Sequence, residues 1–156
     1  MSYRVGIGVD AHAFEDGVPL VIGGVAFDSP RGLAGHSDGD VVTHALIDAV
    51  LGAAGLGDIG SLFPSDASTP AGVSSLDLLR DALEQVRSAG YTVVNADCIL
   101  IGEEPRISSR RAELERRLSE LVGAPVTVRA TTTDKLGFTG RGEGLAAEAV
   151  ALLTRS

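Results

Sequence analysis

The sequence predicts an α+β fold: a single domain with a small mixed β-sheet and helices packed on one face. Three observations lead to this expectation. The chain has 156 residues, which suits one domain spanning residues 1–156. Segments in which apolar residues alternate with period two are mixed with segments of helical period. The resulting order of elements, β-β-α-α-β-α-β-α, fits one sheet covered by helices on one side.

Charge and cysteine content narrow the possible functions. The net charge of −8 and the pI near 4.7 disfavour nucleic acid or an anionic membrane surface as the main partner. No apolar run approaches the roughly 20 residues that a membrane-spanning helix needs. The one cysteine, Cys98, excludes an intramolecular disulfide, and we expect it to be a small core residue. A reducing, cytoplasmic setting is therefore the default expectation, since the first residues also lack an apolar signal region.

The first predicted strand covers residues 3–9 and has two different faces. One face is apolar and consists of Val5, Ile7 and Val9. The other face carries small or polar residues, namely Gly6, Gly8, Asp10 and, if the strand continues beyond residue 9, His12. The two glycines are expected to leave their face open nearby. A second strand is predicted over residues 18–25, after a turn at Glu15-Asp16-Gly17.

The remaining elements follow from periodicity and from capping residues. Helices are predicted over residues 38–54, 73–89, 106–121 and 143–154, strands over 91–101 and 125–131, and an irregular loop over 55–72. We expect Ser37 to cap the first helix, with Asp40 completing a capping box. In the third helix, pairs such as Glu113 with Arg117 are expected along a solvated face. The last helix should turn five residues inward: Leu145, Ala149, Val150, Leu152 and Leu153.

Apolar residues also occupy the second face of the predicted sheet. They are Val5, Ile7, Val9, Ile99 and Ile101. We expect another subunit to cover part of this face. The alternative is that the face is simply exposed in part to water.

A carboxylate and two imidazoles form the first candidate site. Asp10 and His12 lie two positions apart and so point the same way on a strand, while His44 lies on the first helix. This set suits zinc and leaves a fourth position for a ligand oxygen. Asp40 and Asp48 flank His44 at i−4 and i+4, so either one could orient its ring. Alternatively, these helix residues form a solvated polar stripe.

Two further segments could bind phosphate. His36-Ser37 precedes a predicted helix N-terminus, whose free N–H groups attract phosphate; otherwise Ser37 is only a cap and His36 a surface residue. Residues 130–144 contain three successive threonines, a lysine, an arginine and four glycines, which offer donors to phosphate oxygens. Asp134 in this segment could hold a divalent ion. The alternative is a glycine-rich connection without a ligand.

Five motifs together resemble those of one enzyme family. They are Gly8-Val9-Asp10-Ala11-His12; Ile22-Gly23-Gly24-Val25; His36-Ser37-Asp38-Gly39-Asp40-Val41 with His44; Gly57-Asp58-Ile59-Gly60 before Leu62-Phe63-Pro64; and residues 130–144. Over about residues 4–154 the chain resembles the 2-C-methyl-D-erythritol 2,4-cyclodiphosphate synthase family of the non-mevalonate isoprenoid route. The resemblance implies a homotrimer with active sites between subunits. It also implies a phosphorus–oxygen lyase that converts 4-diphosphocytidyl-2-C-methyl-D-erythritol 2-phosphate to the cyclic diphosphate and releases CMP.

The resemblance further implies roles for individual residues. Asp10, His12 and His44 would hold zinc, and Asp134 would serve a magnesium or manganese ion that bridges the substrate diphosphate. His36 and Thr132 would stabilise the transition state. Asp10, His12 and His36 would also be among the substrate-binding residues. The methylerythritol phosphate would contact Ser37, Asp58, Ile59 and Gly60, with Phe63, Pro64, Ser65, Asp66 and Ala67 nearby. The cytidine diphosphate would lie in the segment from Gly102 to Ser108, which includes Arg106, and near Thr131, Thr132, Thr133 and Asp134, with Phe138 and Arg141 completing the site or the trimer axis.

Three positions depart from the family pattern. Asp134 stands where the family usually has Glu, Ala13 stands where a basic residue is common, and Ser65-Asp66-Ala67 replaces a more acidic run. Two other functions remain open on the sequence: a trimeric binding module with a structural zinc, and a metal-dependent phosphohydrolase that activates water.

Overall fold

The computed structural model describes residues 2–155; Met1 and Ser156 of the predicted domain lie outside the described residues. Its strands are β1 Ser2–Asp16, β2 Leu20–Ile22, β3 Val25–Phe27, β4 Arg31–Leu33, β5 Tyr91–Ile101, β6 Val126–Thr131 and β7 Gly144–Arg155. Its helices are α1 Val41–Ala54, α2 Ile59–Leu62, α3 Ser75–Ser88, α4 Arg111–Val122 and α5 Gly137–Gly140. The predicted α+β class is confirmed.

Five strands form one mixed sheet in the order β4-β1-β7-β5-β6. Strands β5 and β6 are parallel, whereas the other neighbours in this sheet are antiparallel. Helix α1 packs against β1, β7 and β5, while α3 contacts β5 and α4 contacts β6. The buried residues of the central strands β7 and β5 face these helices, among them Ala147, Ala149, Ala151 and Cys98.

The predicted last helix, 143–154, is wrong, because this segment is strand β7. Leu145, Ala149 and Leu153 recur every four residues, and that spacing keeps them on one side of either a helix or a strand. The intervening residues decide the matter: Ala147 and Ala151 are buried, whereas Val150 is 47% exposed. The alanines favour a helix locally, but pairing with β1 and β5 on both sides overrides that preference.

The predicted strand 18–25 is in fact a hairpin. Strands β2 and β3 pair antiparallel, with Ile22 opposite Val25. Gly23 and Gly24 form the two-residue turn with φ values of 59° and 75°. Positive φ at both positions is what a tight hairpin of this length requires, and glycine adopts it without steric cost.

The first helix begins later than predicted and uses a different cap. Its N-cap is Asp40, whose carboxylate accepts from the Thr43 backbone N–H at 3.1 Å and the Thr43 hydroxyl at 2.7 Å. The carboxylate also accepts from Gly23 N–H at 2.8 Å and Gly24 N–H at 2.7 Å, so it ties the hairpin turn to the helix. The expectation that Ser37 is the cap is therefore wrong.

Smaller differences concern the segments between the main elements. The loop predicted over residues 55–72 contains the single turn α2, and the segment 130–144 contains α5. The predicted strands 91–101 and 125–131 match β5 and β6 closely. On α4, Glu113 pairs with Arg110 rather than with Arg117, which instead donates to the Gly24 carbonyl at 2.7 Å.

Helix α1 lies directly on the two glycines of β1, so their face is covered rather than open as predicted. A β-carbon added to Gly8 would lie 1.9 Å from the Ala45 carbonyl oxygen, and one added to Gly6 would lie 1.9 Å from the Ala49 carbonyl oxygen. Such distances are far inside van der Waals contact, so the backbones of α1 and β1 meet with no side chain between them.

The opposite face of the sheet is apolar and uncovered in the single chain. Val5, Ile7 and Val9 are 70%, 65% and 58% exposed, and Val150 pairs with Ile7 across the β1–β7 ladder. Contiguous exposed apolar surface of this kind marks an interaction site in soluble proteins.

We expect Gly8→Ala to lower the free energy of unfolding by about 1–3 kcal/mol, because the added methyl must separate α1 from β1. Gly52→Ala is the matched control: its β-carbon has one neighbour within 4 Å, the Ile7 carbonyl oxygen at 3.9 Å. Since Gly is a poor helix former, this control should gain up to about 1 kcal/mol. Urea unfolding at equal protein concentration measures both; a Gly8→Ala protein as stable as wild type would contradict the packing.

Candidate metal centre and phosphate sites

Asp10, His12 and His44 come together where β1 meets α1. His12 Nε2 lies 2.7 Å from Asp10 Oδ2, His44 Nδ1 lies 3.1 Å from the same oxygen, and the two ring nitrogens are 3.2 Å apart. The extension of β1 beyond the predicted residue 9 to Asp16 places His12 on the same face as Asp10. His44 is 7% exposed, so the alternative of a solvated polar stripe on α1 is wrong.

The charges of this cluster support one another. Burial raises the pKa of the Asp10 carboxyl, but hydrogen bonds from His12 and His44 outweigh it and lower that pKa to about 2. The hydrogen bond with Asp10 raises the pKa of His12 above 6.5, against the opposing effect of burial. The cluster therefore pairs a carboxylate with an imidazole that is easily protonated when no metal competes with the proton.

The three ligand atoms fit a divalent ion such as zinc. Metal bonds of about 2.0–2.1 Å in a tetrahedral site set ligand atoms about 3.3 Å apart. The observed separations of 2.7, 3.1 and 3.2 Å are close to that value. Within residues 2–155 these side chains form the one group of three acidic, His or Cys ligands within 4.8 Å of one another, and Asp134 is not part of it.

The ring nitrogens that face away from the cluster are also engaged. The ring of His12 forms a hydrogen bond with the backbone of Ala34. His44 Nε2 lies 2.8 Å from Ser75 Oγ and 2.9 Å from Ser37 Oγ. Asp40 and Asp48 do not orient His44 as expected, because Asp40 caps α1 and Asp48 accepts from Ile59 N–H at 2.7 Å.

A cavity of about 170 Å³ opens beside the cluster. The predicted substrate residues on its wall are Asp10, His12, His36, Ser37, Ile59, Gly60, Phe63 and Ser65. His36 Nε2 hydrogen bonds to the Thr69 carbonyl, which fixes the ring on the cavity wall. Asp58 caps α2 by accepting from Ser61 N–H at 2.8 Å, and Pro64, Asp66 and Ala67 lie in the adjoining loop, outside the lining.

A second cavity of about 320 Å³ lies at the ends of β5 and β6. Gly102, Arg106, Thr131 and Thr132 line it. Thr133 and Asp134 belong to the turn that follows, where the Thr133 hydroxyl donates to the Leu136 carbonyl at 2.6 Å and Asp134 has a φ of 52°. Arg141 lies in a separate cavity with Lys135 and Glu103, and Phe138 is 43% exposed.

The two cavities lie at the same end of the sheet, one beside β1 and the other beside β5 and β6. His12 stands opposite Leu145 on β7, and Thr131 on β6 stands opposite Ile101 on β5. Three strand spacings between β1 and β6 amount to about 14 Å. Within one chain, the expected catalytic pair His36 and Thr132 therefore lies in two different cavities.

The family model described as the YgbB family matches residues 3–154. The chain belongs to the YgbB family. A 2-C-methyl-D-erythritol 2,4-cyclodiphosphate synthase from Cutibacterium acnes is 52% identical over 156 residues, which cover 99% of this chain and 93% of the relative. The enzyme of that name from Erwinia tasmaniensis is 50% identical over 156 residues, covering 98% of this chain and 99% of its own.

Solved structures agree with this YgbB-family assignment. A CDP-bound form of 2C-methyl-D-erythritol-2,4-cyclodiphosphate synthase superposes with a TM-score of 0.87 at 37% identity, covering 97% of this chain and 100% of that one. The bifunctional IspDF from Campylobacter jejuni gives a TM-score of 0.95 at 37% identity, and the match covers 99% of this chain but 43% of that longer chain.

The activity predicted from the sequence is thus confirmed: this YgbB-family chain is a phosphorus–oxygen lyase that forms 2-C-methyl-D-erythritol 2,4-cyclodiphosphate in the non-mevalonate isoprenoid route. The described residues 2–155 include no helix that is both long and apolar enough to cross a bilayer.

Sequence reasoning missed three residues around the first cavity. Thr69 and Leu78 line it, and Ser75 contacts the ring of His44. Thr69 and Ser75 sit in a loop and at the start of a helix about thirty residues from their partners, at separations of 33 and 31 residues. No local pattern indicates such contacts, because only the tertiary fold brings α3 beside α1.

We expect the Asp10–His12 pair to give the metal-free protein a pH-dependent stability. The pKa of His12 is raised above 6.5, so its contribution is present below that pH and is lost as the pH rises through the raised value. The pKa of Asp10 is lowered, so its contribution is present above pH 3.8 and is lost as the pH falls toward about 2.

His12→Gln should therefore lower the free energy of unfolding between pH 3.8 and 6.5, relative to the wild-type protein in chelator. The difference should shrink at higher pH. Denaturant unfolding across pH measures it, and a deficit that stays constant from acid to alkaline pH would refute the pairing.

Proposed function

We propose that the chain converts 4-diphosphocytidyl-2-C-methyl-D-erythritol 2-phosphate into 2-C-methyl-D-erythritol 2,4-cyclodiphosphate and CMP. An oxygen of the 2-phosphate bonds to the β-phosphorus, the bond from that phosphorus to the bridging oxygen breaks, and CMP leaves with the bridging oxygen. The observation that carries this proposal is the Asp10–His12–His44 cluster, which opens onto a cavity that His36 and Ser37 also line. No protein nucleophile is needed, since intramolecular attack depends on orientation and on charge neutralisation.

Metal ions complete the charge balance of the proposed reaction. Asp10, His12 and His44 would hold zinc, and Asp134 would serve a magnesium or manganese ion at the diphosphate. Asp134 Oδ1 lies 3.4 Å from Thr132 Oγ1, which supports a shared role at that end of the substrate. Such ions polarise phosphate oxygens and neutralise developing charge. They also explain how a chain of net charge −8 binds a polyanionic substrate.

The chain's own residues would position the two ends of the substrate. His36 and Ser37 would face the methylerythritol phosphate in the first cavity, with Ile59, Gly60 and Phe63 on its wall. Arg106, Thr131 and Thr132 would hold the cytidine diphosphate in the second cavity. The solved relative with bound CDP supports a cytidine site in this fold.

We further propose that the enzyme is a homotrimer whose active sites lie between subunits. The first cavity lacks Thr132 and the second lacks His36, so a partner that brings its second cavity to the first would complete a site. The exposed apolar residues of the sheet, Tyr3, Val5, Ile7 and Val9, supply a surface for such an assembly. The cytoplasmic location expected from the sequence stays a prediction, in keeping with a single buried cysteine whose thiol pKa burial raises to about 12.

The metal-dependent hydrolase considered from the sequence is separated from the cyclase by the origin of the oxygen atoms. With the cytidyl substrate in oxygen-18 water, we expect CMP and the cyclic diphosphate in equal amounts and no label in either, because water is not the nucleophile. Phosphorus NMR and mass spectrometry measure both. A linear, labelled product would indicate the hydrolase, and no product would indicate a binding module.

Assembly is tested separately by adding a charge to the apolar face of the sheet. Light scattering should give about three times the 16.0 kDa of one chain. Ile7→Glu should yield monomers, because a carboxylate on this face resists burial. Gln85→Glu adds the same charge on the exposed side of α3 and should remain assembled. A wild-type protein that is monomeric at micromolar concentration would rule out shared sites.

A further inference from the structure

The ring of His44 is held by two groups that belong to neither the expected metal ligands nor the expected substrate residues. Its Nε2 lies 2.8 Å from the hydroxyl of Ser75, the first residue of α3, which is fully buried. That hydroxyl donates a short hydrogen bond to Asp38 Oδ1, and Ser75 N–H donates to Asp38 Oδ2 at 3.0 Å. Asp38, Ser75 and His44 thus form a chain of hydrogen bonds that ends at the metal cluster.

Counting donors shows which ring nitrogen the contact with Ser75 requires to be protonated. A serine hydroxyl has one hydrogen, and an ionised carboxylate accepts only. The hydrogen of Ser75 is used by Asp38, so Ser75 can only accept from His44, and this bond requires a proton on His44 Nε2. On the other side of the ring, Nδ1 lies 3.1 Å from Asp10 Oδ2, an acceptor that competes for the ring proton when no metal is bound. The bonds at Nε2 thus favour the neutral form whose lone pair is on Nδ1, against the pull of Asp10.

We propose that Ser75 and Asp38 are positioning residues that hold His44 in the tautomer whose Nδ1 can bind a metal ion. The inference rests on the metal centre put forward under the proposed function, and it assigns the two groups that prepare one of its ligands. The order along the chain of bonds is Asp38 carboxylate, Ser75 hydroxyl, His44 Nε2–H, His44 Nδ1.

The proton on His44 Nε2 also affects the hydrogen bonds of the Ser37 hydroxyl. Ser37 Oγ lies 2.9 Å from His44 Nε2, whose single hydrogen it shares with Ser75 Oγ, and it accepts from the Gly39 N–H at 3.4 Å. The Ser37 oxygen therefore accepts, and its own hydrogen is directed to an acceptor in the cavity that it lines. A phosphate oxygen is such an acceptor, so the arrangement that prepares the metal ligand also prepares Ser37 as a donor.

Asp38 has a second, structural task that must be separated from this one. Its backbone N–H donates to the Val73 carbonyl at 3.1 Å, and its carboxylate accepts from the Asp40 and Ser75 backbone N–H groups. These bonds clamp the start of α3 to the segment before α1. Ser75→Ala leaves all of them in place and removes only the hydroxyl, so it isolates the positioning effect.

The decisive measurement is the tautomer of His44 in metal-free protein. With nitrogen-15 histidine at alkaline pH, two-bond proton–nitrogen correlation spectra should show a larger Nε2-protonated fraction of His44 in the wild type than in Ser75→Ala. In the variant the ring proton should shift toward Nδ1, because Asp10 remains an acceptor there and Ser37 can donate to Nε2. Zinc affinity, measured by competition with a chromophoric chelator, should fall by about 10- to 100-fold, as for other groups that orient a metal-bound histidine.

Asp38→Asn is the second variant, and it should favour the opposite tautomer. Its amide group can donate to Ser75 Oγ, whose hydrogen then turns to His44 Nε2 and moves the ring proton to Nδ1. Ser74→Ala and Asp77→Asn are matched controls on the exposed surface of the same helix start, and both should bind zinc as wild type does. An unchanged tautomer and unchanged zinc affinity in Ser75→Ala would overturn the proposal.

The outcome distinguishes this inference from the proposed function. If the wild-type protein bound no zinc, the metal centre would be refuted, but the tautomer of the metal-free ring would still decide for or against Ser75. If the wild type bound about one zinc per chain and Ser75→Ala bound it equally well with the same tautomer, only the positioning role would be refuted.

Discussion

The close approach of α1 to β1 is the constraint on which the rest of the structure depends. Gly6 and Gly8 admit the helix backbone at a distance that no side chain would allow, and small residues line the contact from α1 (Ala45, Ala49 and Ala53). Helix α1 runs antiparallel to β1, so Gly6 contacts Ala49 and Ala53, whereas Gly8 contacts Ala45 and Ala49. Two residues of a strand advance about 6.6 Å and one helical turn about 5.4 Å, so the two elements keep nearly the same step.

The Asp10–His12–His44 cluster, the candidate metal centre, follows from the same register of α1 on β1. Asp10 follows Gly8 on the same face of β1, and the helix at this height presents His44. Because α1 is drawn so close, His44 reaches Asp10 and His12 with its Nδ1 while its Nε2 remains free to meet α3. The buried carboxylate of Asp40 holds the start of the helix and the Gly23–Gly24 turn in place behind the site.

The opposite face of the sheet has a different task. It carries apolar residues such as Ile7 and Val150 that one chain leaves in water, and the cavities of the chain lie at separate edges of the same sheet end. The proposed trimer, in which neighbouring copies pack through the sheet, would cover this surface and bring the two kinds of cavity together. Helices cover one face of the sheet, and the other face is the surface proposed for assembly.

The sequence by itself determined the elements with unambiguous periodicity and the residues joined by specific motifs. Strand β5, the set Asp10–His12–His44 and the family follow from local pattern, because alternation and motif spacing are properties of neighbouring residues. Only the tertiary structure decided that residues 144–155 are a strand, since Leu145, Ala149 and Leu153 suit both periods until pairing with β1 and β5 selects one. It also decided that Ser75, rather than Asp40 or Asp48, faces His44 Nε2, because that contact joins two helices through a fold that no short window of sequence describes.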